Sequence, residues 1–127
     1  MSQKRVFIIH SWGSSPDEPL YKWLKSELEK KGFKVVVPEM PNSEKPEIEA
    51  WVSKLEGIVG APDKGTILVG HSIGCQAILR YLEKLHPSAL VGGVVLIAPW
   101  LTLSNLESDE ERRIADPWLN TPIREVD

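Results

Sequence analysis

One pentapeptide at a strand-to-helix junction constrains this chain more than any other feature. Gly70-His71-Ser72-Ile73-Gly74 follows the apolar run at 66–69 and precedes an amphipathic helical pattern that begins at Gln76. A serine on so sharp a turn needs small residues two places on either side, because side chains there would collide as strand and helix fold together. The pattern therefore predicts a nucleophile elbow that presents Ser72 above a sheet. A phosphate-binding glycine loop is the main rival, but the chain has neither a Gly-Lys-Ser/Thr ending nor a dinucleotide glycine pattern.

Composition limits the classes of partner. The net charge is −3 and there is no basic cluster, so we expect no nucleic-acid partner, which would require a positive face. No apolar stretch approaches the ~20 residues of a membrane span, and the first five residues lead directly into a strand, so we expect a cytoplasmic protein without membrane contact. The single cysteine, Cys75, cannot form an internal disulfide. At 127 residues we expect one domain, 1–127.

Continuously apolar runs alternate with amphipathic segments along the chain. The runs at 6–9, 35–37, 66–69 and 93–98 predict buried strands. Helical stripes between and after them are predicted at Leu20, Trp23, Leu24 and Leu28, then at Ile48, Trp51, Val52, Leu55 and Val59, then at Ala77, Ile78, Tyr81, Leu82 and Leu85. This order predicts an α/β fold with a doubly wound, mostly parallel sheet covered on both faces. A capping box at Ser108 and Glu111 predicts a further helix that ends at Asp116-Pro117-Trp118.

Four segments together carry a family resemblance. His10-Ser11-Trp12-Gly13, the pentapeptide, Ala98-Pro99-Trp100 and Asp116-Pro117-Trp118 resemble the small α/β-hydrolase family that includes the retinoblastoma-binding serine hydrolase, over nearly the whole chain. One departure is Ser11, where many members carry glycine. The resemblance implies the amino-terminal four strands of an α/β-hydrolase-like domain, no cofactor, and a carboxylesterase-like serine hydrolase. Its substrate would be a small acyl compound, an ester, thioester or amide, cleaved through an acyl-enzyme on Ser72.

Attack by an elbow serine needs two donors for the developing oxyanion. The backbone N–H of Ile73 is one, because it follows the nucleophile at a helix N-terminus. The resemblance implies the backbone N–H of Trp12 as the other. The residues expected to support the elbow and the loop are His10, Gly13, Gly70, His71 and Gly74. The histidines and Cys75 lack metal-ligand spacing, so no metal site is expected.

The acid and base that such a serine needs are not evident in the sequence. In the α/β-hydrolase order both follow the serine, and the only later histidine, His86, lies near the far end of the elbow helix. His71 is expected to face away from Ser72 and to support the loop, which leaves His10 as the one in-chain substitute base. We therefore expect the domain to be incomplete at its carboxyl end. The acids Asp109, Asp116 and Asp127 are expected to be solvated or capping residues.

Three alternatives remain open at this point. The chain is part of an active serine hydrolase, or it is a catalytically inactive binding or structural module, or a partner chain completes its triad. An unpaired edge strand at 94–97 would then invite self-association. Trp12, Trp100 and Trp118 either line a shallow acyl pocket or pack in the core.

Overall fold

The computed structural model describes residues 4–99, 106 and 108–123, in which strands alternate with helices. The strands are β1 (Arg5–Ile9), β2 (Lys34–Val36), β3 (Thr66–His71) and β4 (Gly93–Ile97). The helices are α1 (Pro19–Lys30), α2 (Ile48–Val59), α3 (Ile73–Lys84) and α4 (Asp109–Asn120).

The four strands form one parallel sheet in the order β2-β1-β3-β4. β1 and β3 are central, and their registers pair Phe7 with Leu68 and Ile9 with Gly70. Because all pairings are parallel, the carboxyl ends of β1 and β3 lie side by side, and the loops that follow them meet at one edge of the sheet. The predicted fold class, a doubly wound and mostly parallel α/β sheet, is confirmed.

Each face of the sheet has its own apolar core. On one face Phe7, Ile9 and Leu68 pack against α2, α3 and Trp118. On the other face Val6, Ile8 and Val69 pack against α1, with Tyr21 as its buried residue. Alternate residues of β1 and β3 therefore serve opposite cores, which explains why these strands are apolar throughout.

The predicted stripe of α1 is wrong in two of its members. Trp23 is 61% exposed and Leu20 is 37% exposed, whereas Tyr21 is buried. The face that packs on the sheet consists of the buried Tyr21 and the partly buried Leu24 and Leu28, at i, i+3 and i+7, so the helix is rotated to place a tyrosine against the sheet. The predicted stripe of α2 is confirmed, with four of its five members buried.

Helix α4 does not end at Asp116-Pro117-Trp118 as predicted but continues to Asn120, with Pro117 inside it. The predicted cap at its start is confirmed, since the Ser108 Oγ accepts the N–H of Glu111 at 3.1 Å. Tertiary contacts override the proline: Trp118 is buried, its Nε1 donates to the Pro46 carbonyl at 3.0 Å, and Arg80 donates to the carbonyls of Trp118 and Thr121.

The outer strand β4 is less covered than predicted. Val95 is 49% exposed and Leu96 is 37% exposed, and no described strand pairs with the outer edge of β4. The apolar run at 93–98 does form a strand, but the expectation that the sheet is covered on both faces is wrong at β4 for the part of the chain described. No helix among the described residues combines the length and the hydropathy needed to cross a membrane.

Candidate active site

Ser72 lies on a sharp turn between β3 and α3. Its backbone has φ 56° and ψ −118°, a left-handed conformation that is strained for a residue with a side chain, and it forms the N-cap of α3. Holding such a residue costs of order 1–3 kcal/mol and persists where the surroundings enforce it. Gly70 and Gly74 are those surroundings, because each allows a close backbone approach.

Space at the two glycines accounts for the pentapeptide. A Cβ on Gly70 would lie 2.8 Å from the backbone N and Cα of Cys75. A Cβ on Gly74 would lie 3.0 Å from the His10 carbonyl oxygen and closer still to the carbonyl oxygen of Ile9. Both positions therefore exclude any larger residue unless the backbone moves. The first contact is between strand and helix of the turn itself, and the second joins the helix to the end of β1.

The end of β4 supports the turn from the other side. The Ile97 carbonyl accepts the backbone N–H of Ser72 at 2.9 Å, and the Cys75 Sγ lies 3.5 Å from the same oxygen. Burial raises the pKa of the Cys75 thiol, so this side chain is a protonated packing group and not a second nucleophile.

The loop after β1 carries the predicted second donor. The Trp12 backbone N–H has no acceptor among the described residues, whereas its neighbours are tied down. The Gly13 N–H donates to the Ser43 carbonyl at 2.8 Å, and the Trp12 indole Nε1 donates to the Glu44 carbonyl at 3.0 Å. The loop is thus fixed on both sides of an unpaired N–H, which leaves that N–H available to a ligand.

His10 fixes the orientation of this peptide. Its Nδ1 lies 2.9 Å from the Ser11 carbonyl oxygen, and its Nε2 accepts the Met40 N–H at 3.0 Å, which requires the neutral ring with the proton on Nδ1. The Ser11 C=O and the Trp12 N–H belong to one planar trans peptide and point in opposite directions, so holding the first aims the second. The ring is buried, and burial lowers the pKa of His10 below its usual 6.5, which keeps it neutral.

His71 faces the α1 side of the sheet. Its Nδ1 lies 2.8 Å from the Tyr21 hydroxyl oxygen, which also accepts the Ser11 N–H at 3.0 Å. Tyr21 is a site residue that the sequence interpretation missed. The signal for it is its spacing with Leu24 and Leu28, because these three residues share one helical face.

None of the three histidines is placed as an evident base for Ser72. Both ring nitrogens of His10 are engaged, so it is not available to take the Ser72 proton. His86 follows the last turn of α3 and therefore lies about 20 Å along the helix axis from the start of α3. Its Nδ1 is 2.7 Å from the Ser88 Oγ. His71 is directed towards Tyr21.

Among the acids, Asp109 is paired with Arg112 at 3.4 Å on the surface, while Asp127 lies outside the described residues.

The tryptophans divide between packing and the loop. Trp118 packs against Trp51 with ring centroids 6.1 Å apart and is a core residue, while Trp100 lies outside the described residues.

A cavity of about 540 Å³ lies between the start of α2 and α4, but no residue of the elbow or of the loop after β1 lines it. No group of His, Cys, Asp or Glu within the described ranges is arranged to hold a metal ion.

Comparison with known proteins connects this geometry to a family. A family model described as serine hydrolase matches residues 6–123. The putative hydrolase YdeN of Bacillus subtilis (strain 168) is 37% identical over 95 residues, which are 75% of this chain and 50% of the relative. This chain therefore spans about half the length of that curated relative.

Solved structures agree with the fold. The ydeN gene product of B. subtilis superposes with a TM-score of 0.81 at 31% identity, covering 95% of this chain and 62% of that one. A monoacylglycerol lipase of Paleococcus ferrophilus superposes with a TM-score of 0.69 at 22% identity, covering 91% of this chain and 47% of that one, which supports the fold alone.

Proposed function

Because the chain belongs to the serine hydrolase family, we propose that it contributes the nucleophile and the oxyanion site of an enzyme that hydrolyses small acyl compounds. The substrate class is an ester, thioester or amide. The observation that carries the proposal is the left-handed Ser72, which two glycines hold at the N-terminus of α3 beside the loop after β1. Strain of this kind is maintained where it serves a site.

The reaction divides into attack and charge stabilisation. The Ser72 Oγ adds to the carbonyl carbon, and the substrate oxygen becomes an oxyanion. The Ile73 N–H at the positive end of α3 and the Trp12 N–H aimed by His10 would donate to it. Removing one such donor typically costs about 3 kcal/mol in the transition state. Collapse of the intermediate expels the alcohol, thiol or amine, which takes up the proton that the base received from Ser72, and leaves an acyl group on Ser72. Water then attacks this ester, releases the carboxylic acid and restores the Ser72 hydroxyl.

The proton on Ser72 needs an acceptor, and the geometry points away from His10 and His86. We propose that the base lies outside the residues described. The same observation favours a second candidate function: a catalytically inactive module that binds acyl compounds or serves a structural role, or that depends on a partner chain to complete its triad.

Labelling with a fluorophosphonate probe, read by intact mass, separates the two candidates. Ser72→Ala removes the nucleophile, and Ser53→Ala, an exposed serine of α2, is the matched control. Stoichiometric labelling of the wild type and of Ser53→Ala, but not of Ser72→Ala, supports the hydrolase. Absence of labelling in a chain that circular dichroism shows to be folded means that this chain does not activate Ser72 by itself, and it supports the second candidate, a module that is inactive or that a partner chain completes.

A further inference from the structure

The Tyr21 hydroxyl lies between the two segments that would form the oxyanion site. Tyr21 is 1% exposed and is anchored in the core beneath α1, against Val6, Ile8 and Val69. From there its hydroxyl reaches the carboxyl ends of β1 and β3, where it contacts Ser11 and His71. The Tyr21 side chain of α1 thus links the loop after β1 to the end of β3, and the two contacted residues are sixty positions apart in the sequence.

This hydroxyl makes two hydrogen bonds. Its oxygen accepts the Ser11 N–H at 3.0 Å. The His71 Nδ1 lies 2.8 Å from the same oxygen, and with Nδ1 unprotonated it accepts the phenolic proton. The chain of bonds then runs from the Ser11 backbone through Tyr21 to the residue that directly precedes Ser72.

We propose that Tyr21 is a positioning residue that sets the distance between the two oxyanion donors. Ser11 is held twice: its N–H by Tyr21 and its C=O by His10. The Trp12 N–H shares a peptide plane with that C=O. The Ile73 N–H lies two residues after His71 in the sequence. By tying Ser11 to His71, Tyr21 fixes the two donors relative to each other. This inference rests on the proposed function, because the spacing matters only if both N–H groups serve one oxyanion.

The expected effect of losing the link is smaller than that of losing a donor. Removing an oxyanion donor typically lowers turnover by about 10²–10³-fold. Tyr21→Phe leaves both donors present but frees one to move, so we expect the rate of covalent labelling at saturation to fall about tenfold. The apparent affinity for the probe should change little, since the Tyr21 side chain is buried and its hydroxyl contacts Ser11 and His71.

The chain contains a matched control. Tyr81 is also 1% exposed, and its hydroxyl has no hydrogen-bond partner among the described residues. Tyr81→Phe therefore makes the same chemical change in the core without breaking a described bond. Fluorophosphonate kinetics should show a reduced saturating rate for Tyr21→Phe alone. An equal reduction in both variants, or a reduction confined to probe affinity, overturns the proposal.

Amide hydrogen exchange measured by NMR tests the link even if the probe does not react. We expect Ser11 exchange to accelerate at least tenfold in Tyr21→Phe, while Gly13, which donates to Ser43, stays protected. Unchanged Ser11 protection, or equal loss at Gly13, overturns the proposal. If exchange behaves as expected but the wild type is not labelled, the hydrolase proposal fails and the structural link stands, so positioning for catalysis is refuted.

A double-variant cycle identifies the partner. His71→Leu should slow labelling in the wild-type background but add little in the Tyr21→Phe background, because the link is already broken. Effects that multiply would mean that the two residues act independently, which contradicts the proposed connection.

Discussion

Gly74→Ala is expected to destabilise the chain although alanine is the better helix former. Gly74 lies in the first turn of α3, where replacement of glycine alone would gain about 0.5–1 kcal/mol. A Cβ there, however, meets the His10 carbonyl oxygen at 3.0 Å, and the carbonyl oxygen of Ile9 closer still. These are backbone atoms at the end of a central strand and cannot rotate away. Overpacking of this kind costs about 1–3 kcal/mol, occasionally more. Because both contacts are with backbone, we expect the upper end of this range, which leaves a net loss of about 2 kcal/mol after the gain in helix propensity.

Gly57→Ala is the matched control because its Cβ would meet nothing within 4 Å in helix α2. We expect it to stabilise the chain by about 0.5–1 kcal/mol. Urea unfolding followed by circular dichroism measures both changes through the midpoint at constant slope. Opposite signs for the same chemical change would show that the contact with β1 decides the outcome. If Gly74→Ala is as stable as wild type, the close approach of α3 to β1 does not constrain the elbow and the reasoning fails.

Two further predictions concern buried polar groups. Arg80 is 6% exposed and donates to the carbonyls of Trp118 and Thr121. Arg80→Ala should therefore lower the free energy of unfolding by about 3 kcal/mol. Arg112 belongs to an exposed ion pair, so Arg112→Ala should change the free energy of unfolding by less than about 0.5 kcal/mol. Equal urea midpoints for the two variants would contradict this. His10 is expected to make stability depend on pH, because burial lowers its pKa below 6.5 in the folded state, so the unfolded chain takes up the proton first. The free energy of unfolding should then fall as pH drops below 6.5, by at most about 1.4 kcal/mol per pH unit. The fall should be shallower in His10→Asn. Parallel curves of unfolding free energy against pH for the two proteins would refute this prediction.

Local rules account for the parts of the site that the sequence predicts well. The spacing of Gly70, Ser72 and Gly74 encodes one sharp turn, and its requirement for small residues follows from contacts within a few residues and with the neighbouring strand. The alternation of apolar runs and helical stripes likewise encodes the layers of the fold. Residues whose roles depend on distant partners were missed. Tyr21 contacts His71 fifty positions away, and Arg80 contacts Trp118 thirty-eight positions away, distances over which periodicity carries no information.

Helix α4 illustrates the same limit at an element boundary. Asp116-Pro117 is a reasonable end of a helix on local grounds, because the residue before proline is biased away from helical angles. The helix continues because Trp118 packs on Trp51 and because Arg80 satisfies carbonyls at its end. These three contacts involve two other helices, so the competing stabilisation is tertiary and lies outside any local window.

The loop after β1 requires both backbone freedom and hydrogen-bond anchoring, and Ser11 provides the anchoring. The resemblance to the small α/β-hydrolase family leads us to expect glycine there, for backbone freedom, yet the positive φ of this loop, 69°, is at Gly13. The backbone of Ser11 is not left-handed, so a side chain is tolerated, and what the position supplies is its peptide groups. Conformational freedom and hydrogen-bond anchoring thus belong to different residues of the same loop. A substitution at Ser11 that keeps the backbone should preserve the orientation of the Trp12 N–H, whereas a side chain at Gly13 should disturb it.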